Sequence, residues 1–171
     1  MLVNVRLCLC LPDSGSSPIV VWSQRSHIWS KLRGIRDDFE KWVANGSDPT
    51  DTVHSKIVPN GAIYSLGYDP VKDDLYWNDK AKHSIYRQAR TASFKAGDNG
   101  DSVKTLFSAG MESEIDGIAV DWMTEMVYFT DYKKRWIGVV ASGRRAANMY
   151  RILFHTDLGD PKGITLDPYE G

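Results

Sequence analysis

The chain has 171 residues, of which 42% are hydrophobic and 25% are charged, as is usual for one packed globular domain. Its 21 lysine and arginine residues nearly balance 22 aspartate and glutamate residues, so the formal net charge is −1, which argues against a surface dedicated to nucleic acid. No run of residues approaches the roughly 20 apolar positions of a membrane-spanning helix.

The N-terminal segment holds both cysteines of the chain, Cys8 and Cys10. They are too close to indicate one disulfide, and no further cysteine stands at zinc-ligand spacing. Residues 1–11 lack the charged start and uninterrupted apolar core of a secretory signal, so that interpretation is disfavoured. We predict that residues 1–17 are a linker, a remnant of an upstream cysteine-rich module or an uncertain start of the gene model, followed by one domain over residues 18–171.

Short apolar runs alternate with turn clusters from residue 19 onward, which is typical of an all-β domain. Residues 35–43 have a helix-like pattern, but Asn45-Gly46-Ser47-Asp48-Pro49 ends it, and we predict a long loop there. The predicted strands lie at residues 19–22, 63–68, 75–77, 84–87, 103–107, 118–122, 126–130, 136–141, 151–154 and 163–166.

An internal repeat organises these runs. Asp69 and Asp121 are 52 positions apart, as are Tyr76 and Tyr128, and a further copy opens with Asp167. A unit of this length with about four short strands is typical of one blade of a β-propeller, whose sheets stack radially on their neighbours. The 6 Trp, 8 Tyr and 5 Phe residues supply the large side chains that such packing needs.

The repeat resembles the YWTD (class B) repeats of the low-density-lipoprotein receptor family. Each of the segments Tyr76-Trp77-Asn78-Asp79 and Tyr128-Phe129-Thr130-Asp131 matches three of the four motif letters. The resemblance covers residues 19–171 and implies a partial six-bladed propeller, with about three blades of four-stranded antiparallel sheet. Further residues that resemble the repeat's inner strand and turn are Asp69, Gly117, Asp121, Trp122, Gly163 and Asp167.

The resemblance also implies roles for the motif residues. The aspartates Asp79 and Asp131 are expected to be structural and to help tie neighbouring blades, while the aromatic residues fill the space between sheets. Asn78 stands in the threonine position and is expected to weaken polar bonding there. Phe129 stands in the tryptophan position and removes an indole N–H.

The first unit is expected to be half a blade. Residues 19–23 and 27–32 look like the aromatic and third strands, with no inner strand before them. In closed propellers of this family the missing strand comes from the far end of the domain. Cys8 and Cys10 would then be the remnant of an epidermal-growth-factor-like module.

The function implied by the resemblance is non-catalytic binding of protein ligands or of neighbouring cysteine-rich modules of the same receptor. This predicts an extracellular or cell-surface location, with any membrane anchor outside these residues, and ligand uptake or release with passage through endosomes. No cofactor, metal ligand or nucleic-acid partner is expected, and the fold is not expected to require calcium. An endocytic receptor, a Wnt co-receptor and a basement-membrane protein such as a nidogen remain open.

Two surface features are candidates for function. Lys133, Lys134 and Arg135 form a basic turn beside Trp136, which would suit an acidic protein or a glycosaminoglycan, although solvated turn charges and, for Trp136, packing within the blade are the simpler explanation. Asn45-Gly46-Ser47 matches the N-glycosylation sequon.

The four histidines, His27, His54, His83 and His155, lack the spacing of a metal or catalytic site. In endocytic receptors, histidine charging in acidic endosomes would favour ligand release.

Two alternatives come from other classes. A propeller hydrolase resembling gluconolactonases would need metal-binding carboxylates at a central channel, whereas Asp73-Asp74, Asp98 and Asp101 lie in predicted turns that favour aspartate. Neither a nucleophile elbow nor a calcium-loop motif is present in the sequence. The second alternative is a truncated gene product without independent function.

Overall fold

The computed structural model describes residues 6–10, 19–24, 27–32, 54–57, 62–89, 103–143 and 149–168, with side chains from residue 62 onward. Strands dominate these segments, and no helix there is long and apolar enough to cross a membrane. The strands are β1 (Arg6–Cys10), β2 (Ile19–Gln24), β3 (His27–Leu32), β4 (His54–Ile57), β5 (Ile63–Asp69), β6 (Asp74–Asp79), β7 (Ser84–Ala89), β8 (Lys104–Ser108), β9 (Ile115–Asp121), β10 (Met126–Asp131), β11 (Trp136–Ala141) and β12 (Tyr150–Phe154).

The strands form three antiparallel four-stranded sheets, each a simple meander in chain order. Sheet 1 contains β1 to β4, sheet 2 contains β5 to β8 and sheet 3 contains β9 to β12. Strand β5 lies beside β9 of sheet 3, and β1 and β2 of sheet 1 lie beside β5. The sheets therefore follow one another as successive blades would.

The hairpin turns repeat the same chemistry in sheets 2 and 3. The Oδ1 atom of Asp69 accepts hydrogen bonds from the backbone N–H groups of Val71 (2.9 Å) and Lys72 (3.0 Å). Asp121, 52 residues later, caps its own turn in the same way, at 3.0 and 3.1 Å. Aspartate suits this position because its short side chain bonds the backbone two and three residues further along.

Four hairpin turns, which join the first strand to the second and the second to the third in sheets 2 and 3, end with a residue in the left-handed conformation that favours glycine. The residues concerned carry side chains, and they are Asp73, His83, Glu125 and Arg135, with φ angles of 56°, 51°, 57° and 58°.

Two apolar clusters form the core of the described residues. Cluster 1 lies on the face of sheet 2 turned away from sheet 3 and contains Ile63, Leu66, Tyr68, Leu75 and Trp77. Cluster 2 fills the space between sheets 2 and 3 and contains Tyr76, Ile85, Phe107, Ile115, Ile118, Val120, Val127, Phe129 and Val140.

The prediction of an all-β partial propeller of about three four-stranded blades is confirmed. One predicted strand differs, because residues 163–166 form no strand. A strand needs a hydrogen-bonded neighbour, and none pairs with this segment among the described residues. The predicted loop at residues 35–43 lies outside the described residues.

The first unit also differs from expectation. Strand β1 precedes β2 and pairs with it, with Cys8 opposite Val21 and Cys10 opposite Ile19. The expectation that no inner strand precedes residue 19 is therefore wrong, because Arg6–Cys10 form a strand of sheet 1. Strand β2 of the same chain is the hydrogen-bonded neighbour of this short apolar segment. Whether residues 1–17 descend from an upstream module stays a prediction.

Gly67 provides a test of how closely the sheets approach. A Cβ atom added to Gly67 of β5 would lie 2.5 Å from Cγ2 of Val120 on β9, so we expect Gly67→Ala to lower the free energy of unfolding by about 1–3 kcal/mol. Urea denaturation measures this change. Gly159→Ala is the matched control, because no heavy atom lies within 4 Å of its added Cβ, and equal losses in both variants would contradict the close approach.

Arg135 provides a test of turn strain. The left-handed conformation costs an L-residue about 1–2 kcal/mol, so Arg135→Gly should raise the free energy of unfolding by about 0.5–1 kcal/mol. The exposed contact of Arg135 Nε with Asp160 at 3.6 Å contributes little. Lys133→Gly in the same turn has no such strain to relieve and should be neutral or destabilising. A loss of stability in Arg135→Gly would disprove the explanation.

Candidate functional site

Strand β6 carries the first motif copy and turns successive side chains to opposite faces of sheet 2. Leu75 and Trp77 enter cluster 1, whereas Tyr76 and Asn78 face sheet 3. All four are buried. The motif therefore buries side chains on both faces of its sheet.

Asn78 connects two sheets through its amide. Its Oδ1 accepts hydrogen bonds from the backbone N–H groups of Tyr64 (3.3 Å) and Ser65 (2.5 Å) on β5. Its Nδ2 donates to the backbone oxygen of Ile115 on β9 at 2.5 Å. One buried side chain thus joins the inner strands of neighbouring sheets.

Thr130 occupies the same motif position in β10 and does the same work with one hydroxyl. Its Oγ1 accepts from the Gly117 N–H of β9 at 2.9 Å and donates to the backbone oxygen of Lys162 at 2.6 Å. Gly117 leaves room for this contact, because a Cβ there would collide with the Lys162 backbone. In sheets 2 and 3, the side chain at the third motif position therefore bonds to the first strand of its own sheet and to a backbone oxygen of the chain beyond the last strand of that sheet.

The structure revises one of the two expectations about motif departures. Asn78 does not weaken polar bonding, because its amide has a separate donor and acceptor and makes three hydrogen bonds where Thr130 makes two. The indole N–H of Trp77 is buried without a partner, so Phe129 gives up no hydrogen bond of the kind that Trp77 could have made.

The motif aspartates hold turns and connectors. Asp131 Oδ1 accepts from the N–H groups of Lys133, Lys134 and Glu114 at 3.1, 2.9 and 3.1 Å, and its Oδ2 accepts from the Ser113 hydroxyl. Asp79 Oδ1 likewise accepts from Ala62 and Ala81, both at 3.0 Å. Each carboxylate joins a turn to the segment entering the first strand of its own sheet.

Lysine side chains of sheet 2 reach carboxylates of sheet 3. Lys80 Nζ lies 3.1 Å from Glu114 Oε1 and also contacts Asp116. Burial alone would lower the pKa of Lys80, but the hydrogen bonds that its ammonium donates to Asp116 and Glu114 outweigh this effect and raise the pKa. Lys72 Nζ lies 2.7 Å from Glu125 Oε1, and this hydrogen bond lowers the pKa of the exposed Glu125 carboxyl.

Residues outside the motif make further hydrogen bonds between the sheets, and the motif does not predict them. Ser65 Oγ accepts from the Ile118 N–H at 3.1 Å, and Arg87 Nη1 donates to the Ser142 backbone oxygen at 2.5 Å. Arg87 Nε also lies 3.7 Å from Asp74 Oδ2. Burial raises the pKa of Asp74, and the Arg87 charge opposes that rise.

The other repeat residues differ in how deeply they are buried. Asp69 is fully buried, Tyr128 and Trp122 are half-buried, and Gly163 and Asp167 are exposed. Gly163 and Asp167 lie in the segment that forms no strand, so the structure does not bring them into a fourth sheet. Asn45 lies outside the described residues.

The candidate basic turn follows Asp131. Lys133 is exposed, Lys134 Nζ lies 4.6 Å from the Trp136 ring centre, and Arg135 contacts Asp160. Lys162 adds a charge beside this turn, with its Nζ 5.6 Å from the ring centre of Tyr132. We call Tyr132, Lys133, Lys134, Arg135, Trp136 and Lys162 the basic turn surface.

The histidines and carboxylates considered for metal binding or catalysis do not form a common site among the described residues. Among the described residues, no group of three or more histidine, cysteine, aspartate or glutamate side chains could hold a metal ion. Asp73 accepts a hydrogen bond from the Tyr68 hydroxyl at 2.6 Å. His83 Nδ1 lies 2.7 Å from the Ser113 backbone oxygen, and His155 is exposed. His27 and His54 lie in strands whose side chains fall outside the described atoms.

Comparison with known proteins identifies a relative in sequence. The chain is 32% identical to low-density lipoprotein receptor-related protein 5 of Mus musculus over 121 residues, which cover 70% of this chain and 7% of that protein. No family model matches the chain.

Solved structures share the fold at lower identity. A chain in a crystal structure of a nidogen/laminin complex matches 90% of this chain with a TM-score of 0.65 and 22% identity, and the match covers 50% of that chain. The Cps50 (Swd1) β-propeller domain of Myceliophteria thermophila matches 94% with a TM-score of 0.59 and 12% identity, over 46% of its length. A luciferin-regenerating enzyme matches 94% with a TM-score of 0.55 and 17% identity, over 52%. The chain thus spans about half the length of each of these three chains.

The bridge at the third motif position leads to a test with a matched pair of variants. Thr130 shows that a hydroxyl can serve as both acceptor and donor here, so we expect Asn78→Thr to lower the free energy of unfolding by less than about 1 kcal/mol. Asn78→Val introduces a side chain of nearly the same shape as threonine but leaves buried backbone groups without partners. It should therefore lower the free energy of unfolding by about 1–3 kcal/mol more than Asn78→Thr does. Chemical denaturation of the two variants measures the difference. Equal stabilities would contradict a role for the hydrogen bonds.

Proposed function

The chain belongs to the low-density lipoprotein receptor family as part of a YWTD-repeat β-propeller, and from this membership we propose that it is a non-catalytic, protein-binding segment of a receptor-like protein. The observation that carries the proposal is the 32% identity to a receptor-related protein over 121 residues. Both motif copies use their side chains for packing and for joining sheets. Binding is then left to side chains outside the motifs.

The basic turn surface supports an acidic protein ligand or an acidic neighbouring module as the partner. Among the described residues, no carboxylate forms an ion pair with Lys133, Lys134 or Lys162, whereas Lys80 and Arg135 have carboxylates beside them. Trp136 and Tyr132 lie under two of these charges. Ammonium groups held over aromatic rings are positioned to receive carboxylates while the rings offer apolar contact.

The location that fits this role is outside the cell, as part of the ectodomain of a membrane protein that passes through endosomes during ligand uptake and release. Such a location would expose the Asn45-Gly46-Ser47 sequon to glycosylation. The choice among an endocytic receptor, a Wnt co-receptor and a basement-membrane protein depends on modules beyond these residues. Hydrolysis of a lactone in the presence of calcium or zinc would overturn the non-catalytic part of the proposal.

An acidic probe tests the binding surface. We expect a fluorescent peptide of ten glutamates to bind the full chain, and Lys133→Ala combined with Lys134→Ala to weaken binding by about fivefold or more, because two unpaired charges are removed. Fluorescence anisotropy at about 50 and 150 mM salt measures the affinity and its salt dependence.

The matched control combines Lys104→Ala with Arg151→Ala, which removes the same charge from exposed positions on β8 and β12. This control should weaken binding by less than about twofold. An equal loss in both double variants, or no binding of the peptide to the unchanged chain, would reject the basic turn surface as the binding site.

A further inference from the structure

Several buried oxygen atoms near the interface between sheets 2 and 3 have no hydrogen-bond partner. Among the described residues, such atoms include Asp69 Oδ2, Tyr76 Oη and Ser142 Oγ. The three residues are 0%, 0% and 1% exposed. A buried hydroxyl or carboxylate without a hydrogen bond is costly, so these oxygens call for a further polar group.

Strand register places two of these oxygens on one face of sheet 2. Tyr76 lies opposite Gly67 of β5, and Asp69 follows Gly67 by two residues, so both side chains point toward sheet 3. Alternation along the two strands therefore aims both oxygens at the same gap.

Arg87 brings the third oxygen to the same gap. Arg87 lies opposite Tyr76 in the pairing of β6 with β7, and its Nη1 donates to the backbone oxygen of Ser142 at 2.5 Å. The Ser142 N–H donates to the Glu125 oxygen at 2.8 Å, which holds the end of β11 in place. Burial raises the pKa of the Tyr76 phenol, and the neighbouring Ser142 hydroxyl opposes that rise, in agreement with this proximity.

We propose that one buried water molecule binds between sheets 2 and 3 and bridges Asp69 Oδ2, Tyr76 Oη and Ser142 Oγ. Water donates two hydrogen bonds and accepts two, so it can donate to the Asp69 carboxylate and accept from both hydroxyls. The Arg87 guanidinium beside this gap disfavours a metal cation there. A buried water with about three polar partners is a usual element of a globular core.

The repeat offers a matched comparison in sheet 3. Asp121 stands in the position of Asp69, but its Oδ2 accepts a hydrogen bond from the Thr124 hydroxyl at 2.5 Å. Tyr128 stands in the position of Tyr76 and is only half-buried. The corresponding part of sheet 3 therefore has no need of a bridging water, which makes Tyr128→Phe the natural control.

Two measurements test the proposal. A crystal structure of the full chain at about 1.6 Å should show one water within about 2.6–3.2 Å of all three oxygens, and the same site should be empty or displaced in Tyr76→Phe. A structure in which the Tyr76 and Ser142 hydroxyls bond directly to each other, with no water beside Asp69, would overturn the proposal.

The second measurement is a double-variant cycle by thermal unfolding. Tyr76→Phe should lower Tm by about 2–6 °C, and combining it with Asp69→Asn should give less than the sum of the single shifts, because both residues share one water. Asp69→Asn keeps an oxygen for the turn. Tyr128→Phe should shift Tm by less than about 1 °C. Additive shifts of Tyr76→Phe and Asp69→Asn would contradict a shared water.

Discussion

The structure depends on covering both faces of a sheet such as sheet 2, because a four-stranded sheet that is apolar on both faces is not stable alone in water. Strand β6 shows the constraint most clearly. Leu75 and Trp77 enter one cluster and Tyr76 enters the other, and all three are almost completely shielded from solvent. Sheet 2 can therefore fold only between two neighbours, and Gly67 permits the close approach of one of them.

Polar links give this stacking its register. Apolar contact between sheets is not directional, so it would tolerate small sliding movements. The hydrogen bond from Asn78 to Ile115 and the hydrogen bond from Ile118 to Ser65 join specific backbone atoms of β9 to sheet 2. Because buried polar groups are costly to leave unpaired, a shifted sheet would lose more than these bonds contribute. Hydrophobic burial supplies the association, and these bonds fix its geometry.

The sequence predicted the fold through two properties, the period of 52 residues and the match of each motif to three letters out of four. Both are local and visible in one chain. The predictions that differ concern strand pairing. Strand β1 has no pattern that identifies β2 as its partner, and residues 163–166 have a strand-like composition but no neighbouring strand in the part of the chain that the structure describes. Matching motif letters does not count donors and acceptors, so it does not reveal that the amide of Asn78 makes three hydrogen bonds. Arg87 and Ser142 carried no signal, since their contact depends on how sheets stack.

Structural residues and residues available for binding occupy different positions in the repeat. The motif positions are occupied on both faces, so substitution there changes stability before it changes recognition. In sheets 2 and 3, the turns between the second and third strands are held mainly by the motif aspartates through backbone N–H groups, which leaves the other side chains of these turns free to vary. In sheet 2 this turn uses Lys80 to join the sheets, whereas in sheet 3 the equivalent turn presents Lys133 and Lys134 to solvent or to an aromatic ring. A repeated scaffold can therefore carry different surface chemistry on each blade without altering the contacts that hold the blades together.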